Sequence, residues 1–264
     1  MPPSSSRCRP DPSVWQTLDL RVTFFYRDDV PLHAAGTWER VTGSQPDSQR
    51  SSPKTGQVVE TGTYGESPLE LVFVFEPASR RLEWHLQSQD LVHRQHAGFL
   101  DAPPQLLALI HKYIAILPMQ SVERIAYGVS AIRHVKDLNA GYREISQYLP
   151  FDVDYGHSSD FLYQINRKRQ SKVMPDIEIN RLMKWSVVTM GRRVLRLNTS
   201  RFTEMKSTDA TIVTPVDDHV ALNLELDINT VPKDNSAIPV ERLGDLLKEF
   251  AELAREIVAE GDVA

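Results

Sequence analysis

The segment FDVDYGHSSD, residues 151–160, is the most ligand-like cluster in the chain. Two carboxylates two residues apart, Asp152 and Asp154, resemble the start of a calcium-binding loop. Such a loop needs another oxygen ligand before its glycine and a bidentate glutamate at its twelfth position. Here Gly156 comes one residue too early and Tyr163 takes the twelfth position. The pattern therefore predicts a solvated loop between a helix and a strand.

Three histidines, His85, His93 and His96, lie within one polar stretch. Zinc would need further ligands, and the chain has no HExxH pair and no matching cysteine set. It also lacks a GxSxG elbow, a Walker loop and a GxGxxG turn. These absences predict no catalytic residue, no metal and no cofactor. An enzyme whose active site is assembled from distant residues stays open as an alternative.

The stretch from residue 165 to residue 206 is strongly basic. It holds eleven lysines and arginines against three acids, a charge of +8, so the rest of a chain of net charge −5 carries −13. A local excess of this size favours an anionic partner, and arginine offers a planar fork to phosphate or carboxylate. The candidate partner-binding residues are Arg167, Lys168, Arg169, Lys172, Arg181, Arg192 and Arg193.

Two alternatives accompany this interpretation. The basic residues can alternate along strands and pair with acidic residues from the other half of the chain, which would leave an ordinary solvated face. Alternatively, Trp185 and Tyr163 can supply stacking surfaces for a nucleic acid, unless Trp185 belongs to the core. The four basic residues from Arg167 to Lys172 are followed by no acid until Asp176, which predicts that little of their charge is neutralised locally.

The spacing of apolar residues predicts the elements that position these side chains. Period-two alternation predicts strands near residues 18–24, 58–64, 69–75, 82–86, 122–132, 161–169, 181–190, 193–203 and 220–228, with a weaker strand at 36–42. The polar stretch of residues 43–56, rich in serine, proline and glutamine, predicts an exposed loop. Apolar residues three and four apart predict helices that begin after Asp101, Asp137 and Ser236.

Each half of the chain thus reads as an antiparallel meander followed by an amphipathic helix packed on the sheet, which is an α+β pattern. The expected organisation is a flexible leader at residues 1–14, a β-rich half with one helix at 15–135, and an α+β half at 136–264. The two halves can also form one continuous domain.

Composition limits the cellular setting. The longest apolar run, residues 106–110, is too short to span a bilayer, and residues 1–12 have no apolar signal region. The single cysteine, Cys8, allows no intrachain disulfide, which suits a reducing compartment. These features predict a cytoplasmic protein with no membrane partner.

Several strings of the second half resemble a sporadically distributed family of uncharacterised bacterial proteins: ERIAYGVSAIR, GYREISQYLP, QINRKRQS, INRLMKWSV and LELDINT. The resemblance covers roughly residues 122–257. It brings no established catalytic residue, so none is carried over. It implies a gene with a sporadic distribution that has moved by horizontal transfer, and hence a mobile-element or antiviral-defence context.

These observations together predict a non-catalytic binding or regulatory subunit that acts through protein–protein contacts. The first alternative is a nucleic-acid-binding module that uses residues 165–206, for which strong salt dependence is expected. The second is the enzyme with a dispersed active site.

Overall fold

The structure is a computed structural model. The residues that it describes are 11–27, 36–65, 68–88, 97–116, 122–154, 156, 160–191, 194–197, 210–213, 218–232 and 237–262. Within these ranges the helices and strands follow one another in this order: β1 Gln16–Tyr26, α1 Thr37–Thr42, β2 Ser48–Ser51, β3 Val58–Thr63, β4 Leu69–Glu76, β5 Arg81–Ser88, α2 Ala102–Ile116, β6 Val122–Val135, α3 Leu138–Ile145, β7 Leu162–Gln170, β8 Glu178–Gly191, β9 Val194–Leu197, β10 Ala210–Val213, β11 Asp218–Thr230 and α4 Val240–Glu260.

Nine of the strands form one antiparallel sheet in the order β2-β3-β4-β5-β1-β6-β11-β8-β7. The strands β9 and β10 pair separately as a two-stranded sheet. Helices packed on an antiparallel sheet make this an α+β fold, as the alternation predicted. The division of the chain at residue 135 stays a prediction.

The core lies between one face of the sheet and the helices. Leu20 and Val22 of β1 point to this face and are completely buried, as are Leu222 and Leu224 of β11. The helix α4 packs on β6, β11 and α2 with its predicted apolar face, and that face is buried. None of the helices in the described ranges combines the length and the apolar composition that crossing a membrane requires.

Three expectations about local structure are wrong. Residues 37–42 form the helix α1 instead of a strand, with Gly36 preceding it at φ 95°, because the Trp38 ring packs against Trp84 in the core. The predicted loop at residues 43–56 contains β2, which pairs with β3. The last helix begins at Val240 after Pro239, later than expected, and the expected cap residue, Ser236, lies outside the described residues. Of the strand expected at residues 193–203, residues 194–197 form β9, and the other residues of that range lie outside the described residues.

Candidate functional site

The sheet ends in β7, which carries three of the candidate partner-binding residues. This strand pairs with β8 on one side, and within the described ranges no strand pairs with its other edge. Its side chains alternate between exposed and half-buried, because one row points away from the helices and the next points toward α4. Lys168 belongs to the exposed row, whereas Arg167 and Arg169 belong to the half-buried row.

Arg167 is held by a carboxylate that follows α4. Its Nε donates to Oδ1 of Asp262 and one terminal nitrogen donates to Oδ2, each at 3.0 Å, which is a bidentate geometry. The hydroxyl of Tyr163 donates to the same carboxylate at 2.5 Å, and the Asp262 side chain is completely buried. Burial opposes the charged form, but the bonds from Arg167 and Tyr163 outweigh it and hold the pKa of Asp262 below its ordinary value.

The backbone after α4 is shaped to deliver this carboxylate. Gly261 adopts φ 78°, a left-handed conformation that favours glycine, and a Cβ there would overlap the backbone of Tyr148. The next amide, that of Asp262, donates to the Tyr148 carbonyl oxygen at 2.7 Å. The chain therefore leaves α4 along one close-fitting path that ends with Asp262 beneath β7.

Arg169 is held by a second carboxylate, that of Glu249 on α4. A terminal nitrogen of Arg169 lies 2.7 Å from Oε1, which also accepts from the Lys172 amide at 2.8 Å, and the Ser171 hydroxyl donates to Oε2 at 2.6 Å. Burial raises the pKa of Glu249, but these bonds outweigh it and the net shift is downward. Glu249 thus fastens the loop after β7 to the helix.

The expectation of little local neutralisation is wrong for these two arginines. Arg167 and Arg169 meet Asp262 and Glu249, which lie 95 and 80 residues away along the chain. The expected pairing with acids does occur, but both acids belong to the same half as the arginines. Their tertiary position could not be read from the sequence, because no local pattern links β7 to α4.

The remaining basic candidates differ in exposure. Lys168 is exposed and lies 2.9 Å from the carboxylate of the half-buried Glu178, whereas the exposed Lys172 has no ion pair among the described residues. Arg181 lies opposite Arg167 and donates to its carbonyl oxygen at 3.4 Å. Burial, reinforced by the charges of Arg169 and Arg167, lowers the pKa of Arg181. Two further candidates lie outside the described residues: Arg192 and Arg193.

The two aromatic residues expected to stack on bases, Trp185 and Tyr163, both make contacts within the protein. Trp185 is completely buried and stacks on Tyr148 at 4.9 Å between ring centroids, so it belongs to the core. Tyr163 is half-buried and binds Asp262 through its hydroxyl. Stacking of a nucleic acid on Trp185 is therefore excluded.

A second polar cluster lies on the sheet face away from the helices, and it was missed by the sequence reasoning. His85 on β5 has Nδ1 at 3.1 Å from Asp19 of β1 and Nε2 at 3.5 Å from Glu83. Thr23 donates to Glu83 at 3.1 Å, and Arg21 lies 3.9 Å from the same carboxylate. Cross-strand neighbours carry this cluster, and only the strand order shows that β1 and β5 are adjacent.

The charge state of His85 follows from these neighbours. Burial opposes the imidazolium, but the hydrogen bonds to Asp19 and Glu83 outweigh it and raise the pKa of His85 to about 9. The ring is therefore protonated at neutral pH with both nitrogens donating, which leaves no lone pair for a general base. In this geometry the cluster joins strands β1 and β5.

This pKa shift predicts how stability depends on pH. Because the folded pKa is raised, the stabilisation by His85 is fully present below pH 6.5 and is lost as pH rises through about 9. In urea unfolding, the difference between the wild type and His85→Gln should therefore shrink over this range. His111→Gln, at an exposed position on α2, is the control. A difference that stays constant with pH would contradict the protonated state.

The loop after β7 lines a small cavity. A cavity of about 180 Å³ lies where the loop after β7 approaches the start of α4, and Glu123, Asp176 and Thr230 are its polar lining. Sites for small molecules usually enclose about 300–1,000 Å³. Within the described ranges, no group of three or more His, Cys, Asp and Glu side chains is placed to hold a metal ion. His93, His96 and His157 lie outside those ranges.

Comparisons with models of protein families, with curated proteins and with solved structures found no match. The resemblance of residues 122–257 to a family of bacterial proteins therefore stays a prediction.

Proposed function

We propose that this protein is a non-catalytic binding subunit that acts through protein–protein contacts at its basic edge. The basic edge comprises the strand β7 and the start of the following loop, from Leu162 to Lys172. Because Cys8 has no second cysteine with which to form an intrachain disulfide, a reducing, cytoplasmic setting is part of the proposal. A mobile-element or defence context is part of the proposal through the sequence resemblance alone.

One observation supports the proposal most strongly. The basic edge joins an unpaired strand edge, in the described part of the chain, to a row of basic side chains, two of which are fixed by ion pairs. Arg167 and Arg169 are held by buried carboxylates, so little conformational entropy is lost when a partner contacts them. Lys168 and Lys172 extend into solvent beside them. A charged surface of this kind steers an oppositely charged protein and speeds association.

We also propose that the chain consists of two related halves that meet at the centre of the sheet. From the central pair outward, β1 is followed by β5, β4 and β3, and β6 is followed by β11, β8 and β7. In the first half the short helix α1 follows β1 and the longer helix α2 follows β5. In the second half the short helix α3 follows β6 and the longer helix α4 follows β11. The longer helices, α2 and α4, contact each other. This arrangement supports a junction between α2 and β6 instead of one at residue 135.

The basic edge is tested by charge reversal at its two exposed lysines. We expect Lys168→Glu together with Lys172→Glu to lower the recovery of the protein's partner in affinity purification by at least about tenfold, because attraction becomes repulsion. The ion pair of Lys168 is exposed and contributes little to stability, so the melting temperature should change little. Arg167 and Arg169 are left intact, because their loss would leave the buried carboxylates of Asp262 and Glu249 without a cationic partner.

The matched control reverses two basic residues at the opposite end of the sheet. Arg50 and Lys54 lie on and just after β2 and are exposed, so Arg50→Glu with Lys54→Glu changes the net charge equally. Partner recovery should be retained in that variant. Equal recovery with both double variants would refute the role of the basic edge. Recovery of nucleic acid alone, with affinity that falls steeply with salt, would favour the nucleic-acid alternative.

A further inference from the structure

The two halves differ at one position in the sheet. In the first half, β2 lies beside β3 and pairs with it from Ser48↔Thr61 to Ser51↔Val58. In the second half, β7 holds the position that corresponds to β3. The segment between α3 and β7 corresponds to the one that contains β2, but no residue that the structure describes in this segment pairs its backbone with β7.

From this difference we infer that β7 accepts one further strand, an extended acidic segment of a partner protein, in the position that β2 has beside β3. The inference rests on the proposed function and specifies the partner's chemistry and its mode of binding. An unpaired strand edge presents alternating N–H and C=O groups that an extended peptide can pair with. In the first half this capacity is already used by β2.

The charges along β7 define the partner's composition. From Leu162 to Pro175 the chain contains four basic residues and no acid. Lys168 points to one side of the sheet, and Arg167 and Arg169, which are paired with Asp262 and Glu249, point to the other. A neighbouring strand with consecutive carboxylates therefore meets basic side chains on both sides, with the free N–H donors of the arginines on one of them. The two arginines have further N–H donors beyond those bound to Asp262 and Glu249.

The apolar residues at the start of β7 define the partner's direction. Leu162 is 55% exposed and Phe151 is 42% exposed, and the Phe151 ring contacts Tyr163 at 5.3 Å. A strand antiparallel to β7, as β2 is to β3, ends beside these residues. The matching segment therefore has its carboxylates first and an apolar residue near its carboxyl end.

A second copy of the chain does not suit this edge. A symmetric antiparallel pair of β7 strands centred on Lys168 would place the run from Arg167 to Arg169 of one copy opposite the same run of the other. Like charges on facing strands repel each other. An acidic segment removes this conflict, which is why we assign the position to a different protein.

The test uses a synthetic peptide of about ten residues that begins with consecutive glutamates, continues with valines and ends with phenylalanine. Binding is followed by fluorescence anisotropy, and amide exchange is recorded along β7. We expect slower exchange in β7, with no change in β2. A peptide methylated at the alternate amides that face β7 should bind about tenfold or more weakly, because it loses several backbone hydrogen bonds.

Controls separate this inference from the proposed function. Lys168→Glu should weaken binding of the acidic peptide, whereas Arg50→Glu should not. A peptide with the same composition in reversed order should bind more weakly, because its apolar end would meet the basic residues. Equal affinity of the methylated peptide, binding without slower exchange in β7, or no binding at all would overturn strand addition. The proposed function fails separately, if charge reversal leaves partner recovery unchanged.

Discussion

Replacement of Glu249 by alanine is expected to lower the free energy of unfolding by about 2–4 kcal/mol. Glu249 is 5% exposed and accepts hydrogen bonds from Arg169, Ser171 and Lys172. Its removal leaves a partly buried guanidinium and the loop after β7 without their acceptor. The lower part of the range applies if water reaches Arg169, whose side chain is 22% exposed. Urea unfolding at neutral pH measures the change.

Acid should remove the same stabilisation in the wild type. The pKa of Glu249 is lowered in the folded protein, so its contribution is present above its ordinary value of 4.5 and is lost as pH falls through the folded value. The difference between the wild type and Glu249→Ala should therefore shrink below pH 4.5. Glu252→Ala, one turn later on the exposed face of α4, is the control and should cost little. An equally small effect at Glu249 would show that the loop is not anchored by this carboxylate.

Replacement of Leu224 by alanine is expected to cost about 2–5 kcal/mol. Leu224 lies at the middle of β11, where Trp185 and Ala131 are its cross-strand partners, and all three are completely buried. The truncated side chain leaves a cavity that the sheet cannot collapse to fill, because strands on both sides fix the backbone. The change is measured by urea unfolding, and the dependence of the free energy of unfolding on urea concentration is compared with that of the wild type.

The next residue on the same strand provides the control. Glu225 points to the other face, is exposed and pairs with Lys184 at 2.8 Å. Glu225→Ala should change the free energy of unfolding by less than about 0.5 kcal/mol, as is usual for exposed positions. A loss below about 1 kcal/mol for Leu224→Ala would mean that the register of β11 or the packing of the helices differs from the structure described here.

Periodicity was sufficient to predict most of the regular structure. The alternation in residues 220–228 predicted β11, and the three- and four-residue spacing in residues 106–117 predicted α2, which ends at Ile116. Asp137 was expected to cap a helix, and its carboxylate does accept from the Ala140 amide at 2.8 Å. These features are local, because side chains that alternate or recur every turn report directly on the face that is buried.

Short segments were decided by tertiary contacts. Residues 36–42 contain too few apolar positions to separate a strand from a helix, and the packing of Trp38 against Trp84 selects the helix α1. β2 is polar and exposed throughout, so its sequence reads as a loop, and only pairing with β3 makes it a strand. In both cases the deciding contact comes from a residue outside the segment itself.

The sequence by itself determined the fold class, the positions of the long elements and the location of the basic segment. Only the tertiary structure decided which of the basic residues are neutralised, because Asp262 and Glu249 reach Arg167 and Arg169 across 95 and 80 residues. The strand order likewise decided that β7 lies at the end of the sheet and that His85 meets Asp19. The physical reason is the same for each: charge and hydrogen bonding act between neighbours in space, whereas periodicity reports only on neighbours along the chain.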